Sequence, residues 1–396
     1  MLTFLEARAT VLREVQAQSA VEFYPLDECH GSVLAQDAVA DRNYPPFDRA
    51  TRDGFGVRGS DIPGRLRVIG ESRAGHPFGG VVSSGEAVEI MTGAPTPQGV
   101  DAVVMVEFCT RSNDGTVFTD RTAIPGCNVA LAGCDVATGG VVLKRGKRID
   151  HTAVAWLATI GMTEVPVFAR PRVAILATGD EIVEVGAMPS ASQIRNSNAH
   201  ALAAQVRRAG GEPVILPVAP DDQAATARLI AKGLEYDLLL LSGGVSAGKY
   251  DFVEPALTDC EATFFFDRVA IQPGQPLVFG KARGKFFFGL PGNPASTMVT
   301  FELFARAAID LLSGATEAPL PVTMARLTRA FSHKAGLTRF LPATLTTTGV
   351  SCTEVTPVDW QGSGDVPSLC RANAFLVADA NQPEYAEGDM IPVLAK

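Results

Sequence analysis

The sequence is short of the residues that build metal centres and covalent frameworks. Seven cysteines, at 29, 109, 127, 134, 260, 352 and 370, form an odd, scattered set with no Cys-x-x-Cys pair, and the five histidines are equally dispersed. That spacing gives neither a disulfide framework nor a zinc site, and reduced thiols in a cytoplasmic protein are the expectation. Basic charge is also lacking. Lysine and arginine number 34 against 43 acids, a net charge of −9, and no polybasic run occurs. Without a basic patch there is no electrostatic footprint for nucleic acid and no attraction to an anionic membrane surface. No uninterrupted apolar run approaches the ~18 residues of a membrane span. The opening segment MLTFLEARATVLREVQAQ instead spaces Leu2, Leu5, Ala9, Leu12 and Val15 at helical intervals, with Glu6, Arg8, Arg13 and Glu14 between them. That is an amphipathic helix, whereas a secretion signal needs an unbroken apolar stretch.

What is present is apolar substance and turn chemistry. With 46% apolar and 19% charged residues, the 396-residue chain can bury real cores, and at ~150 residues per domain it should hold two to four. The 38 glycines and 26 prolines promise many turns. Residues 66–120 read as short strands (LRVIGE, AVEIM, DAVVMVE, GTVFTD) separated by glycine and proline. From Arg172 strands alternate with helices: RVAILA, a helix over 197–209, EPVILPV, the helix DDQAATARLIAKGL, then DLLLLS. PLVFG and KFFFGL form a hairpin about Ala282-Arg283-Gly284, and a long helix covers 294–313. Such alternation predicts a parallel sheet with helices on both faces. After residue 314 the strands VTMARLT, RFLPATL, TEVTPV and AFLVADA suggest a small barrel or sandwich. The expected architecture is α/β plus β and multidomain: a doubly wound α/β domain over 169–314, a β-domain over 43–127 inserted into a helical and linker domain of 1–42 and 128–168, and a C-terminal β-barrel domain over 315–396.

In an open α/β sheet, ligands bind beyond the carboxyl ends of the strands. Three such ends carry unusual loops: Ala177-Thr178-Gly179-Asp180-Glu181, then Ser242 to Asp251 (SGGVSAGKYD), then Gly289-Leu290-Pro291-Gly292-Asn293-Pro294-Ala295-Ser296. Glycine lets the backbone approach a ligand and present N–H groups to an anion. Asn293 suits an N-cap and Pro294 the first helical position, so a helix should begin there with its dipole favouring phosphate or carboxylate. There is no G-x-x-x-x-G-K-[ST], and no G-x-G-x-x-G follows the first strand of this region, which disfavours a P-loop and a nicotinamide fold. Glycine loops at strand ends are often ordinary turns. Asp180, Glu181 and Asp251 on the same loops tilt the reading toward a divalent cation beside a phosphate, with N-capping as their plain alternative. Two further segments, Pro45 to Phe55 with Asp53 and Ile90 to Pro95 with Thr92, are turns by composition alone.

Taken in order, PPFDRATRDGF, EIMTGAPTPQGVDAVVMVE, GCNVALAGCDV, LATGDE, SGGVSAGKYD, VAIQPGQP and GLPGNPAS resemble the MoeA family of molybdopterin molybdenumtransferases, relatives of the gephyrin E-domain. The resemblance runs over nearly the whole chain. It implies a central MoaB/MogA-like α/β domain and a transferase of molybdenum cofactor biosynthesis. Such an enzyme takes adenylylated molybdopterin and molybdate, uses Mg2+ and releases AMP. It further implies a cytoplasmic homodimer with its cleft shared between subunits, and a molybdopterin adenylyltransferase or apo-molybdoenzymes as partners.

Position by position, the resemblance gives catalytic places to Asp53, Thr92, Asp135, Glu181 and Arg268. Substrate contacts fall to Thr178, Gly179, Asp180, Ser242, Gly243, Gly244, Ser246, Pro291, Gly292, Asn293, Pro294 and, in a C-terminal QGS segment, Ser363. Metal ligands would be Asp251, Glu181 and Asp222, with Asp221 as the neighbouring choice for the last. Arg268, Lys249 or Arg339 would attract molybdate. The chain departs from the family pattern at Arg52, Ala130, Leu131, Cys134, Gln272, Gln275 and Gly364. A non-catalytic molybdopterin-binding or scaffold paralogue is therefore the rival reading, and an unrelated nucleotide hydrolase on the same layout is the third.

Overall fold

The computed structural model describes residues 1–17, 20–244, 252–316, 318–348 and 352–396. The chain forms two compact units. One comprises Met1–Ala35, Gly146–Asp150 and Glu164–Lys396, and the other Gln36–Arg145 and His151–Thr163.

The larger unit is built on a six-stranded sheet. Its order is Glu212–Ile215, Arg172–Ala177, Leu238–Ser242, Lys285–Leu290, Val278–Ala282 and Thr263–Phe266, with the first four parallel and the last two joined antiparallel. The central strands read as unbroken apolar runs because helices cover both faces. Their side chains alternate between two cores. Val173, Ile175, Leu238, Leu240, Phe286 and Phe288 face one, with Leu202 and Val206 of the Ser197–Arg208 helix. Ala174, Leu176, Leu239, Leu241 and Phe287 face the other, with Ile230 and Leu257 from the helices Gln223–Gly233 and Val253–Asp259. The expected hairpin closes through Arg283 at φ 50° and Gly284 at φ 81°, the two positive angles that a tight two-residue turn requires.

The N-terminal helix spans Phe4–Glu14 and adds Ala7 and Val11 to the first core. Thr3 and Glu6 form a reciprocal cap: Glu6 N–H donates to Thr3 Oγ1 at 3.3 Å and Thr3 N–H to Glu6 Oε2 at 2.8 Å. The long helix expected over 294–313 is interrupted. Pro294–Thr300 and Arg306–Leu312 are α-helical, and Phe301–Ala305 between them is π-helical and wholly buried. Glu302 in that segment accepts from Gln205 Nε2 and pairs with Arg208, both at 2.7 Å, and with Arg306 at 3.2 Å.

Residues beyond 320 close a five-stranded barrel in the order Thr338–Thr348, Cys352–Pro357, Val322–Leu327, Met390–Ala395 and Ala374–Ala378, the last pairing back onto the first. Ala325, Leu327, Val355, Leu376, Ile391 and Val393 fill it. The α/β layer and the closed barrel thus match the fold class expected from the sequence. The strand Met390–Ala395 was not legible as such, because Pro392 breaks its pattern.

The smaller unit centres on a second six-stranded sheet, ordered Ala102–Met105, Gly54–Val57, Glu86–Ile90, Gly64–Ser72, Thr116–Thr119 and Thr110–Arg111. Pro45 to Phe55 reads as a turn by composition, yet its last two residues, Gly54 and Phe55, open the interior strand Gly54–Val57. A Cβ at Gly54 would land on the Val104 carbonyl, so glycine here permits a close backbone approach. Among the described residues, no helix is long and apolar enough to cross a membrane.

Candidate functional site

In the larger unit the carboxyl ends of the parallel strands open onto a cavity of about 560 Å³. Three strand ends and a helix start supply its walls. Ala177, Thr178, Glu181 and Ile182 come from the first loop, Ser242, Gly243 and Gly244 from the second, and Pro291, Gly292, Asn293 and Pro294 from the third. These are most of the residues singled out on the α/β loops. Gly243 and Gly244 take φ 93° and 65°, and Gly179 takes 130°. The last angle lies in a region only glycine occupies readily, and a Cβ at Gly179 would collide with the Glu181 carboxylate. The glycine therefore lets Glu181 fold over its own loop and onto the cavity.

Hydrogen bonds knit these loops together. Thr178 N–H donates to the Ser242 carbonyl at 3.2 Å, and Gly243 N–H to the Leu290 carbonyl at 3.3 Å. That donor of the glycine pair is therefore already engaged by protein. Asn293 occupies the N-cap position before Pro294, but its side chain does not cap the helix. Its Nδ2 donates instead to Ser363 Oγ at 2.8 Å, while Ala295 N–H donates to the Ser363 carbonyl at 2.9 Å. The C-terminal QGS segment is thereby fastened to the third loop. Asp365 holds that segment, accepting from Gln361 N–H and from Ser368, and these bonds, the Ser368 hydroxyl first, keep its carboxyl below the usual range.

The remaining wall was not marked by any motif. Ile194, Arg195, Asn196, Ser197 and Asn198 line it, with Pro276 nearby on the lining. Ile194–Arg195 pairs in parallel with Ile182–Val183, and the helix Ser197–Arg208 starts directly after, capped by Asn196. Asn198 Nδ2 donates to Ser242 Oγ at 2.9 Å and to the Gly292 carbonyl at 2.8 Å, tying the second loop to the third. Its position just past a strand end, in R-N-S-N, was the only available signal.

Other expected site residues lie elsewhere. Asp180 Oδ1 accepts from Asp221 N–H at 3.0 Å, and Asp222 caps the Gln223–Gly233 helix through Ala225 N–H at 2.8 Å, so both carboxylates already bond the backbone. Neither is on the cavity lining. Arg268 is exposed between the strands Thr263–Phe266 and Ile271–Gln272, also away from that lining. Ser246, Lys249 and Asp251 lie outside the described residues. Among the described residues no cluster of three or more His, Cys, Asp or Glu side chains could hold a metal ion.

In the smaller unit Asp53 and Thr92 meet directly. Asp53 Oδ1 accepts from Thr92 N–H at 2.6 Å and from Thr92 Oγ1 at 2.7 Å. The hydroxyl bond first, then the backbone bond, lower the Asp53 pKa, so this exposed carboxylate stays ionised near neutrality. It can accept or orient, but it does not carry a proton there. Asp135 is exposed and sits 3.8 Å from Arg49.

Fold and cavity together define a multidomain protein with an open cleft at the strand ends of a doubly wound domain. Three family models match in succession: the MoeA N-terminal region (domain I and II) over residues 2–161, a probable molybdopterin binding domain over 174–310, and the MoeA C-terminal region (domain IV) over 324–396. The chain belongs to the MoeA family. It is 33% identical over 397 residues to the molybdopterin molybdenumtransferase of Haemophilus influenzae, covering 99% of this chain and 98% of that protein. The protein of the same name from Staphylococcus epidermidis is 34% identical over 378 residues, covering 93% and 90% respectively. A solved structure, the molybdopterin biosynthesis MoeA protein from Pyrococcus horikoshii OT3, superposes with a TM-score of 0.84 at 29% identity, with both chains covered in full.

Proposed function

We propose that this chain is a molybdopterin molybdenumtransferase, which inserts molybdenum from molybdate into adenylylated molybdopterin and releases AMP. The observation that carries the reading is the cavity at the strand ends. Glycine loops and a helix start there offer a concave, partly apolar site for a phosphate-bearing ring compound. Full-length similarity to enzymes of that name supports the same chemistry.

In this reading Gly244 and Gly292 approach the phosphates, while Ile182, Ile194 and Pro276 supply apolar surface to the ring system. Ser363 and Asn293 fix the third loop. Asp53, held ionised by Thr92, serves as an orienting carboxylate, with Asp135 beside Arg49 as a further charge of the same unit.

Mg2+ is held by one or two protein carboxylates together with substrate phosphate oxygens and water, so Glu181 on the cavity wall fits such a role without a three-acid cluster among the described residues. Asp251, matched to the family motif, is the second ligand in this proposal. When bound, the ion would offset charge on the departing AMP phosphate.

A homodimer in the cytoplasm is part of the same proposal. Sedimentation at micromolar concentration should give twice the 41.7 kDa chain mass; a clean monomer would contradict the dimer. The function itself is tested by turnover of adenylylated molybdopterin with molybdate and Mg2+, reading AMP release and activation of an apo-molybdoenzyme. A scaffold paralogue would bind the nucleotide and release no AMP.

A further inference from the structure

The unmarked wall of the cavity carries a charge that the motif loops do not account for. Arg195 is the one cationic side chain on the lining among the described residues, and Glu181 is the one anionic side chain there. The Arg195 guanidinium is fixed by its near end: Nε donates to the carbonyls of Val185 at 3.0 Å and Ala187 at 3.2 Å. No described carboxylate pairs with it. Several other arginines of the same unit are neutralised, as in the pairs Arg148–Asp310, Arg208–Glu302, Arg326–Glu354 and Arg329–Asp359.

The residue is also exposed, so packing does not explain it. Two carbonyl acceptors cost a guanidinium nothing in charge. They aim it while leaving its positive charge uncompensated. The short parallel pairing of Ile194–Arg195 with Ile182–Val183 places this cation on the same cavity as the Gly243-Gly244 and Gly292-Asn293 loops.

We propose that Arg195 is a binding residue for a phosphate-type oxyanion of the substrate. A planar guanidinium with free donors at its far end matches two oxygens of a phosphate ester, which a lysine at the same place would meet only as a point charge. The proposal rests on the molybdopterin reading of the cavity. Two phosphoryl groups in that substrate share this chemistry: the phosphate of the pterin side and the adenylate phosphate. A contact held equally in the ground state and the transition state acts on binding alone, and that is the role assigned to Arg195.

The test is calorimetric titration of the full-length chain with AMP and, separately, with molybdopterin lacking the nucleotide. Wild type, Arg195→Ala and Arg195→Lys are compared at two salt concentrations. Loss of a charge-assisted hydrogen bond should weaken one of the two probes by ~10-fold or more in Arg195→Ala. Arg195→Lys should recover only part of that loss. The affected probe should also lose salt dependence, and the probe that loses affinity identifies the phosphate that Arg195 holds. In turnover, KM should rise while kcat stays within about threefold. The thermal midpoint should move little, since the hydrogen bonds lost are exposed loop contacts and the side chain packs against no core.

Both probes binding Arg195→Ala within twofold of wild type would overturn the assignment of Arg195 alone. Wild type binding neither probe would overturn the molybdopterin reading of the cavity, and Arg195 with it.

Discussion

At the residue scale, single atoms decide which groups are available for chemistry. The Asp53 carboxylate is lowered by two bonds from one residue, and Thr92→Val removes only the hydroxyl, which is the larger influence. In the variant the Asp53 pKa should climb toward the ordinary aspartate value of about 3.9 while the backbone bond keeps some of the depression. The sign for stability follows. A depressed carboxyl contributes stability that is present above its unfolded pKa and lost as pH falls through its folded pKa. The variant should therefore lose that contribution at a higher pH than wild type does. Carboxyl-carbon NMR titration reads both midpoints, and identical values would contradict the role given to the hydroxyl. Near neutrality Asp53 remains ionised in both proteins, so any loss of activity in the variant should not depend on pH there.

At the scale of elements, the cavity is held in shape by how its helices begin and continue. The helix that follows the third loop passes through a buried π-helical turn, and Glu302 in that turn gathers Gln205, Arg208 and Arg306. Gln205 and Arg208 belong to the Ser197–Arg208 helix, which carries Asn198 to the cavity. The cluster thus locks the two helices that supply two walls. Glu302→Ala would take one of two acceptors from the half-buried Gln205 amide, which keeps the Met298 carbonyl, and would bring two arginines together without their anion. A loss of roughly 2–4 kcal/mol in equilibrium denaturation is expected, whereas a change below about 0.5 kcal/mol, ordinary for a surface site, would show that the cluster is incidental.

Elements also set what could be read in advance. The three strand-end loops were legible because glycine and proline mark backbone positions, and those marks are local. Arg195 and Asn198 were not, since their importance comes from a parallel pairing between residues 182–183 and 194–195 and from bonds to loops 44 and 94 residues away. Gly54–Val57 was missed for the opposite reason: its glycines look like a turn until the neighbouring strand is in place. Asp180 and Asp222 show the limit of reading acids by motif alone. Both sit beside the strand ends, and both bond backbone N–H groups in the folded chain.

At the scale of the whole molecule, a net charge of −9 stands beside a cavity proposed to take an anionic substrate. The two are compatible because charges more than about 8 Å away are largely screened at physiological ionic strength. Local groups decide instead, and in the proposal these are the glycine loops and the uncompensated Arg195. The solved MoeA structure covers the chain in full, so the positions read in the sequence as unlike the family's, among them Arg52, Cys134, Gln272, Gln275 and Gly364, fall on a shared framework.

Metal insertion is what this framework is proposed to perform. The direct measurement incubates the purified chain with adenylylated molybdopterin, molybdate and Mg2+, then adds an apo-molybdoenzyme. An enzyme releases AMP in step with molybdenum incorporation, and the recipient's activity recovers. Tight binding of the adenylylated pterin with no AMP and no activated recipient would contradict the proposal, leaving a protein that holds the pterin without transforming it.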